Sequence, residues 1–551
     1  MLSRADIKFI PLAVISIFLC GCSSINEGAA KAAPSSVQMM ELDRTFKEKK
    51  LKDNYGITYE ICPYAFADSN GDGTGDLKGI IKNLDYLNDG DPESDDDLGV
   101  NAIWLTPVSK AYSYHKYDIT DYESIDPSFG TLDDYDELVK QCHKRGMKVY
   151  YDLVINHTSD RHPWFEKAAE YLKSIGDGEI DTSKCPYVSY YNFSKEKKSG
   201  YEKLAGTSYY YEARFWSGMP DLNLDNENVR KEIINIMRFW IGHGVDGFRL
   251  DAVTSYYTGN SEKNIEFLRW LNEEGKKIKP DLYFVGEAWT NQSAYAKLYD
   301  SGIDSFFDFA YSDNTGVVAK TVKGLYSAKE FAESLSDSDQ LYREHNPEMI
   351  DAPFYTNHDM ARSAGYYTSF KNARTLTKVA GALNLLMKGN AFVYYGEELG
   401  MNGSGTDEDK RQPMYWTRSD SGPWSRIMCD PVVGSDKVEM KYPAYDKQKD
   451  DPLSIYNYYK TAMHLRESFP EIAEGDTKVN EDLSKDGVAV IEKGEGTCLV
   501  INLSGKTRSL DLSKTGFNKL SGTLNVSEAR VKMKSGKITL PSYDIALITK
   551  K

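Results

Sequence analysis

From about residue 55 onward, short apolar runs alternate with longer amphipathic ones. Residues 55–62, 100–106, 148–155, 245–250, 282–287, 303–311, 353–356 and 391–395 read as strands. Between them, residues 77–87, 131–146, 229–243, 264–278, 328–342 and 373–387 carry the spacing of one-sided helices. The helix at 131–146 opens on Thr131-Leu132-Asp133-Asp134 and stops at Gly146, a usable pair of start and stop signals. Eight strands separated by helices predict an α/β fold with a parallel sheet, a (β/α)8 barrel over residues 41–470. Two regions break the repeat. Residues 157–220 are too long for a loop and rich in Tyr, Lys, Gly and Ser, which predicts a small domain inserted after the third strand. From 471 to 551 the helices stop, and runs such as Val488–Ile491 alternate with Gly and Asp turns, predicting a C-terminal antiparallel β-sandwich.

The first forty residues follow another pattern. Arg4 and Lys8 flank the start of an apolar run at 9–19, too short to span a bilayer, which is the layout of a secretory signal. The run ends Leu19-Cys20-Gly21-Cys22-Ser23-Ser24, which resembles a bacterial lipobox. That resemblance implies a signal peptide at 1–22, a lipid on Cys22 and an extracytoplasmic chain anchored to a membrane; a plain cleaved signal and an uncleaved anchor are the alternatives. Residues 23–40, rich in Ala and Ser with few large apolar residues, read as a flexible tether.

Charge and cysteine usage narrow the partners. A formal charge of −16 and a pI near 5.2 argue against a nucleic-acid partner and fit a neutral substrate. Aromatics make up 12% of the chain, enough to fill cores or to stack on sugars. Cys62, Cys142, Cys185, Cys429 and Cys498 are odd in number and lack CxxC spacing, which predicts free or buried thiols rather than a disulfide framework or a zinc site.

Two stretches carry candidate chemistry. In Asp68-Ser69-Asn70-Gly71-Asp72-Gly73-Thr74-Gly75-Asp76, oxygen donors fall at every second position and glycines permit a tight turn. Asp68, Asn70, Asp72, Thr74 and Asp76 therefore form a candidate Ca2+ loop, although Gly79 stands where a helix–loop–helix hand has its closing Glu. The metal-free alternative is a polar turn. In Gly247-Phe248-Arg249-Leu250-Asp251, the side chains of Arg249 and Asp251 share one face of a strand. A guanidinium beside a carboxylate favours its charged form, which suits either a structural ion pair or a nucleophile. Other polar residues at strand C-termini are Asn156-His157, Glu287 and His358-Asp359, and barrel enzymes place catalytic groups there.

Taken together, Asp152-Leu-Val-Ile-Asn156-His157, Gly247-Phe-Arg249-Leu-Asp251, Gly286-Glu287, Phe354-Tyr-Thr-Asn357-His358-Asp359 and Met219-Pro220-Asp221-Leu222-Asn223 resemble the α-amylase superfamily, glycoside hydrolase family thirteen. The resemblance spans nearly everything from Gly56 onward and implies a retaining hydrolase acting on an α-glucan. It implies Asp251 as nucleophile, Glu287 as general acid/base and Asp359 as a transition-state stabiliser. It also implies Tyr117 as a stacking tyrosine, and His115, His157, Arg249 and His358 as substrate-site residues. Asp152 is expected to orient its neighbours, and Asn156 is left between a structural and a calcium-linked role. Lys116 stands where members with this loop often carry Gly, a departure that bears on contacts at one subsite. Tyr114 occupies the place of an aspartate typical of exo-acting members, which favours an open, endo-acting cleft on α-1,4 bonds in starch or maltodextrins. The segment Arg411-Gln-Pro-Met-Tyr-Trp416, by contrast, resembles the oligosaccharide-active branch. Neopullulanase, cyclodextrinase, α-glucosidase and glucanotransferase activities stay open, as does a non-catalytic starch-binding lipoprotein; a monomer is expected.

Overall fold

The computed structural model describes residues 51–435 and 438–550. The expected signal, the lipid-bearing Cys22, the tether at 23–40 and the first residues assigned to the barrel lie outside the described residues. No helix among the described residues is long and apolar enough to cross a membrane.

The strands β1 (Ile57–Ile61), β2 (Ala102–Leu105), β3 (Lys148–Leu153), β4 (Gly247–Leu250), β5 (Tyr283–Gly286) and β6 (Ser305–Phe306) join the last barrel strand, Ala391–Tyr394, in one parallel sheet. Single parallel bridges, Phe307 with Ala352 and Phe354 with Phe392, put residues 352–354 between β6 and the last strand and close the barrel in eight places. The predicted strand at 303–311 shortens to Ser305–Phe306 because the chain turns directly afterwards, with Phe309 N–H on the Phe307 carbonyl and Tyr311 N–H on that of Asp308. The barrel interior is filled by Trp104, Tyr150, Tyr283, Phe307, Phe354 and Phe392, so much of the aromatic content is core. Gly247 is bare for a steric reason: a Cβ there would lie 2.6 Å from the Tyr283 carbonyl and 2.9 Å from the Tyr150 ring.

The long insertion after β3 holds the helix Pro163–Ile175 and a three-stranded sheet of Phe193–Ser194, Tyr201–Lys203 and Tyr210–Glu212. Its two ends meet in an antiparallel bridge between His157 and Asp221, which brings both back to the barrel mouth. After the helix Ile455–Ser468, a five-stranded antiparallel sheet and a three-stranded one enclose Val490, Val500, Phe517, Ile538 and Ile548, a β-sandwich core. All five described cysteines are free and buried, as the spacing implied.

Candidate active site

Parallel register assembles the first cluster. Arg249 on β4 is level with Asp152 on β3 and Val285 on β5, and two residues further along the same faces lie Asp251 and Glu287. The fully buried guanidinium of Arg249 donates from Nη1 to Asp152 Oδ1 and to Asp251 Oδ1, both at 2.7 Å. Its Nη2 lies 2.8 Å from Glu287 Oε2, an ion pair without hydrogen-bond alignment. One cation thus holds three carboxyls together. Ala252, at φ 49°, turns its N–H onto Glu287 Oε2 at 3.2 Å. Burial pushes Glu287 up to about 7; Arg249 opposes this, and the charges of Asp251 and Asp359 reinforce it. Asp152 is pushed up to about 6, again by burial first and by Asp251 against Arg249, and accepts from Trp104 Nε1 at 3.2 Å. Trp289, two residues on from Glu287, is 54% exposed and packs on Phe309 at 5.3 Å, so it does not cover the carboxyl. The buried barrel mouth, where Glu287 is 6% exposed, supplies the desolvation instead.

A second cation, His358, organises the rest. Its Nδ1 lies 2.6 Å from Glu60 Oε1 on β1, and its Nε2 lies 3.1 Å from Asp359 Oδ2 and 2.7 Å from the Tyr117 hydroxyl. Burial would discharge this imidazole, but the carboxylates of Asp359 and Glu60 outweigh it and hold its pKa well above the usual histidine range. Both nitrogens therefore donate. Asp359 accepts from Arg411 Nη2 at 2.7 Å as well. Burial works to raise Asp359, yet His358 and Arg411 together keep it far below the ordinary carboxylate range. Tyr117 stacks on the His358 ring at 5.5 Å and donates from its hydroxyl to Asp152 Oδ2 at 3.0 Å, linking the two clusters.

The other expected site residues fall around these hubs. His157 Nε2 is 3.2 Å from the Tyr117 carbonyl, and burial lowers its pKa. His115 accepts the Tyr117 N–H on Nδ1 at 3.1 Å and is held down at about 4, chiefly by burial, so it is neutral. Asn156 donates to Asp221 at 3.3 Å. Tyr114 receives Arg411 Nη1 at 3.1 Å. The Lys116 side chain points away from this cluster, and its ammonium lies 2.8 Å from Asp126, in the loop's base.

Sequence reading missed two members of the site. Glu60 was one acidic residue inside an apolar strand, a costly placement that signals a partner. Arg411 was noted only for its neighbours, although its Nε also bonds the His358 carbonyl at 3.0 Å.

The Asp68–Asp76 segment forms a separate loop. Asp68 is buried and accepts three backbone amides at 2.7–2.9 Å, while Asn70 and Asp72 each accept one from two residues on. Asp76 caps the following helix, Leu77–Lys82. Among the described residues, no three acidic, His or Cys side chains converge in metal-binding geometry. The loop's side chains offer only oxygen donors, three of them carboxylates, and those of Asp68 and Asp76 are engaged by backbone amides.

Acidic side chains gathered at the strand ends of a (β/α)8 barrel are the arrangement that glycoside hydrolysis calls for, and the relatives of this chain place it among the glycoside hydrolases. The chain belongs to the α-amylase family: the family's catalytic domain matches residues 60–475. It is similar to Alpha-amylase 3 of Dictyoglomus thermophilum, at 39% identity over 424 residues, 76% of this chain and 78% of that one. An oligo-1,6-glucosidase of Heyndrickxia coagulans is 29% identical over 509 residues, covering 76% of this chain and 86% of its own. Among solved structures, Eubacterium rectale Amy13B superposes with a TM-score of 0.89 at 45% identity, over 94% of this chain and all of that one.

Proposed function

We propose that this enzyme cleaves α-1,4-glucosidic bonds within starch or maltodextrins by double displacement, with retention at the anomeric carbon. The observation that carries the reading is the shared guanidinium. Asp251 Oδ1 and Glu287 Oε2 both lie within 2.8 Å of Arg249, which keeps the two carboxyls close. Retaining enzymes need a separation of about 5–5.5 Å between such groups. In the first step Glu287 gives its proton to the glycosidic oxygen while Asp251 attacks the anomeric carbon and the bond to the leaving sugar breaks. In the second, Glu287 takes a proton from water, which displaces Asp251. A pKa near 7 suits a group that must donate and then accept. Asp359, ionised between His358 and Arg411, faces the positive charge that develops on the sugar, and Tyr117, His115, His157 and His358 border the sugar's place.

Tyr114, bonded to Arg411 rather than replaced by a carboxylate, supports an open cleft and endo attack. The likeness to oligo-1,6-glucosidases and the Arg411–Trp416 segment support the alternative of short-oligosaccharide or α-1,6 action. Time-resolved products from amylose, pullulan and cyclodextrin separate the two. Early mixed maltooligosaccharides from amylose support endo α-1,4 cleavage; glucose alone, or activity confined to α-1,6 oligosaccharides, contradicts it.

The proposal extends to Ca2+ held by Asp68, Asn70, Asp72, Thr74 and Asp76, where bound metal would stabilise the fold, and to a lipid on Cys22 that keeps the enzyme at an extracytoplasmic membrane face as a monomer. Mass spectrometry of the mature N-terminus tests the lipid, and an unmodified N-terminus beyond residue 22 counts against it.

A further inference from the structure

Lys116 stands between two residues of the site, yet its side chain leaves it. Its φ is 65°, the left-handed region, which is strained for an L side chain and open to glycine. Something must hold a lysine there. Its ammonium lies 2.8 Å from Asp126 Oδ2, with the two side chains only 11% and 8% exposed, and 5.5 Å from the centre of the Phe129 ring.

Asp126 is itself anchored. It follows the strand Ile119–Ile125, and its Oδ1 accepts from Ser128 N at 3.0 Å and Ser128 Oγ at 2.6 Å. Its Oδ2 also accepts the N–H of Ala111 at 3.3 Å. Ala111 ends the strand Ser109–Ala111, which leads into the loop, so a single carboxylate ties the outgoing arm and Lys116 near the returning arm. At the tip, Asp118 takes the Ser113 N–H at 3.0 and 3.1 Å and the Ser113 hydroxyl. The product of this bracing is the placement of Tyr117, whose hydroxyl meets Asp152, His358 and, at 3.4 Å, Arg249.

We propose that the Lys116–Asp126 ion pair is a positioning device: it fixes the left-handed turn that delivers the Tyr117 hydroxyl to the junction of the Arg249 and His358 clusters. The proposal rests on the catalytic reading above. Lys116 does not touch substrate; it acts through Tyr117.

A double-mutant cycle on the purified enzyme tests this, with maltoheptaose as substrate, reducing ends as readout and melting temperature measured alongside. A misplaced site group loses rate, so K116M lowers kcat about tenfold with KM moved less than about threefold. K116R, which keeps a cation within reach of Asp126, stays within about threefold of wild type. In the Y117F background, K116M costs less than about twofold more, because the group it positions is already gone. D126N behaves as K116M does and carries the same cycle where K116M does not fold. A K116M enzyme with lower melting temperature but kcat within twofold of wild type overturns the proposal, as does a tenfold loss repeated undiminished in Y117F. A wild type inactive on every glucan overturns the catalytic reading and this one with it, whereas an active wild type with an indifferent K116M overturns this one alone.

Discussion

Arg249 and Arg466 are both fully buried, at opposite ends of one barrel. At the N-terminal end, Arg466 donates only to backbone carbonyls: Gly56 at 3.2 Å, Tyr55 at 3.3 Å, Leu385 at 2.7 Å, and Met387 and Gly389 besides. At the C-terminal end, Arg249 meets three carboxyls. Burial pulls Arg466 down to about 9, whereas burial at Arg249 is outweighed by Asp152 and Glu287, and its pKa is raised. Neutral carbonyls satisfy a buried cation and lock the start of β1 to that of the last barrel strand. Carboxylates satisfy it too, but they store charge that can be used. The same solution to burying an arginine thus yields a clamp at one end and, at the other, the carboxyl cluster proposed as the reaction centre.

Substitutions should separate the two ends. The largest effect is expected from Asp251→Asn, which lowers hydrolysis on the order of 10⁴-fold or more while glucan binding persists. Lost binding together with lost activity would place Asp251 in architecture instead. Next, Glu287→Gln lowers kcat about 10²–10⁴-fold and removes the alkaline limb of the pH profile. In wild type that limb falls as pH rises through about 7, where Glu287 gives up the proton it must donate. The same shift has a stability sign. The folded-state value is raised above the ordinary 4.5, so the stability it contributes is present below that pH and lost as pH rises through about 7. The melting temperature of Glu287→Gln minus that of wild type should therefore climb between pH 4.5 and about 7 and level off above, and a flat difference across that window counts against a buried, raised Glu287.

At the closed end the ranking reverses. Arg466→Met orphans several buried carbonyls and should cost about 3 kcal/mol or more of stability, read by denaturant unfolding, with kcat per folded molecule unchanged. A large kcat loss there would erase the distinction between the ends. The smallest effect is expected from chelation. If the Asp68–Asp76 loop carries Ca2+, removing the ion lowers Tm by about 5 °C, restored by added Ca2+, with little change in kcat below the transition. An unmoved Tm contradicts the loop's assignment.

The sequence made this contrast half visible. Asp251, Glu287 and Asp359 stood out because carboxylates at the ends of apolar strands are costly and so ask for a purpose. Arg249 and Asp251 were legible as a pair because two residues on a strand share a face. Glu60 was not, since its partner His358 lies 298 positions away and nothing local joins them. Arg411, 52 residues from Asp359 in a loop without periodicity, was opaque for the same reason. The clamp at Arg466 was invisible: its acceptors are backbone carbonyls, which every residue has. The direction of the Lys116 side chain was not legible, because it depends on a positive φ that no residue pattern declares.

The central claim is that Asp251, held beside Glu287 by Arg249, attacks the sugar. A mechanism-based 5-fluoro-α-glucosyl fluoride, followed by peptide mass spectrometry, tests it directly. The account predicts one covalent sugar on the peptide at Asp251, absent in Asp251→Asn. A label on Glu287 or Asp359, or turnover of the reagent with no covalent intermediate at any pH, would contradict it.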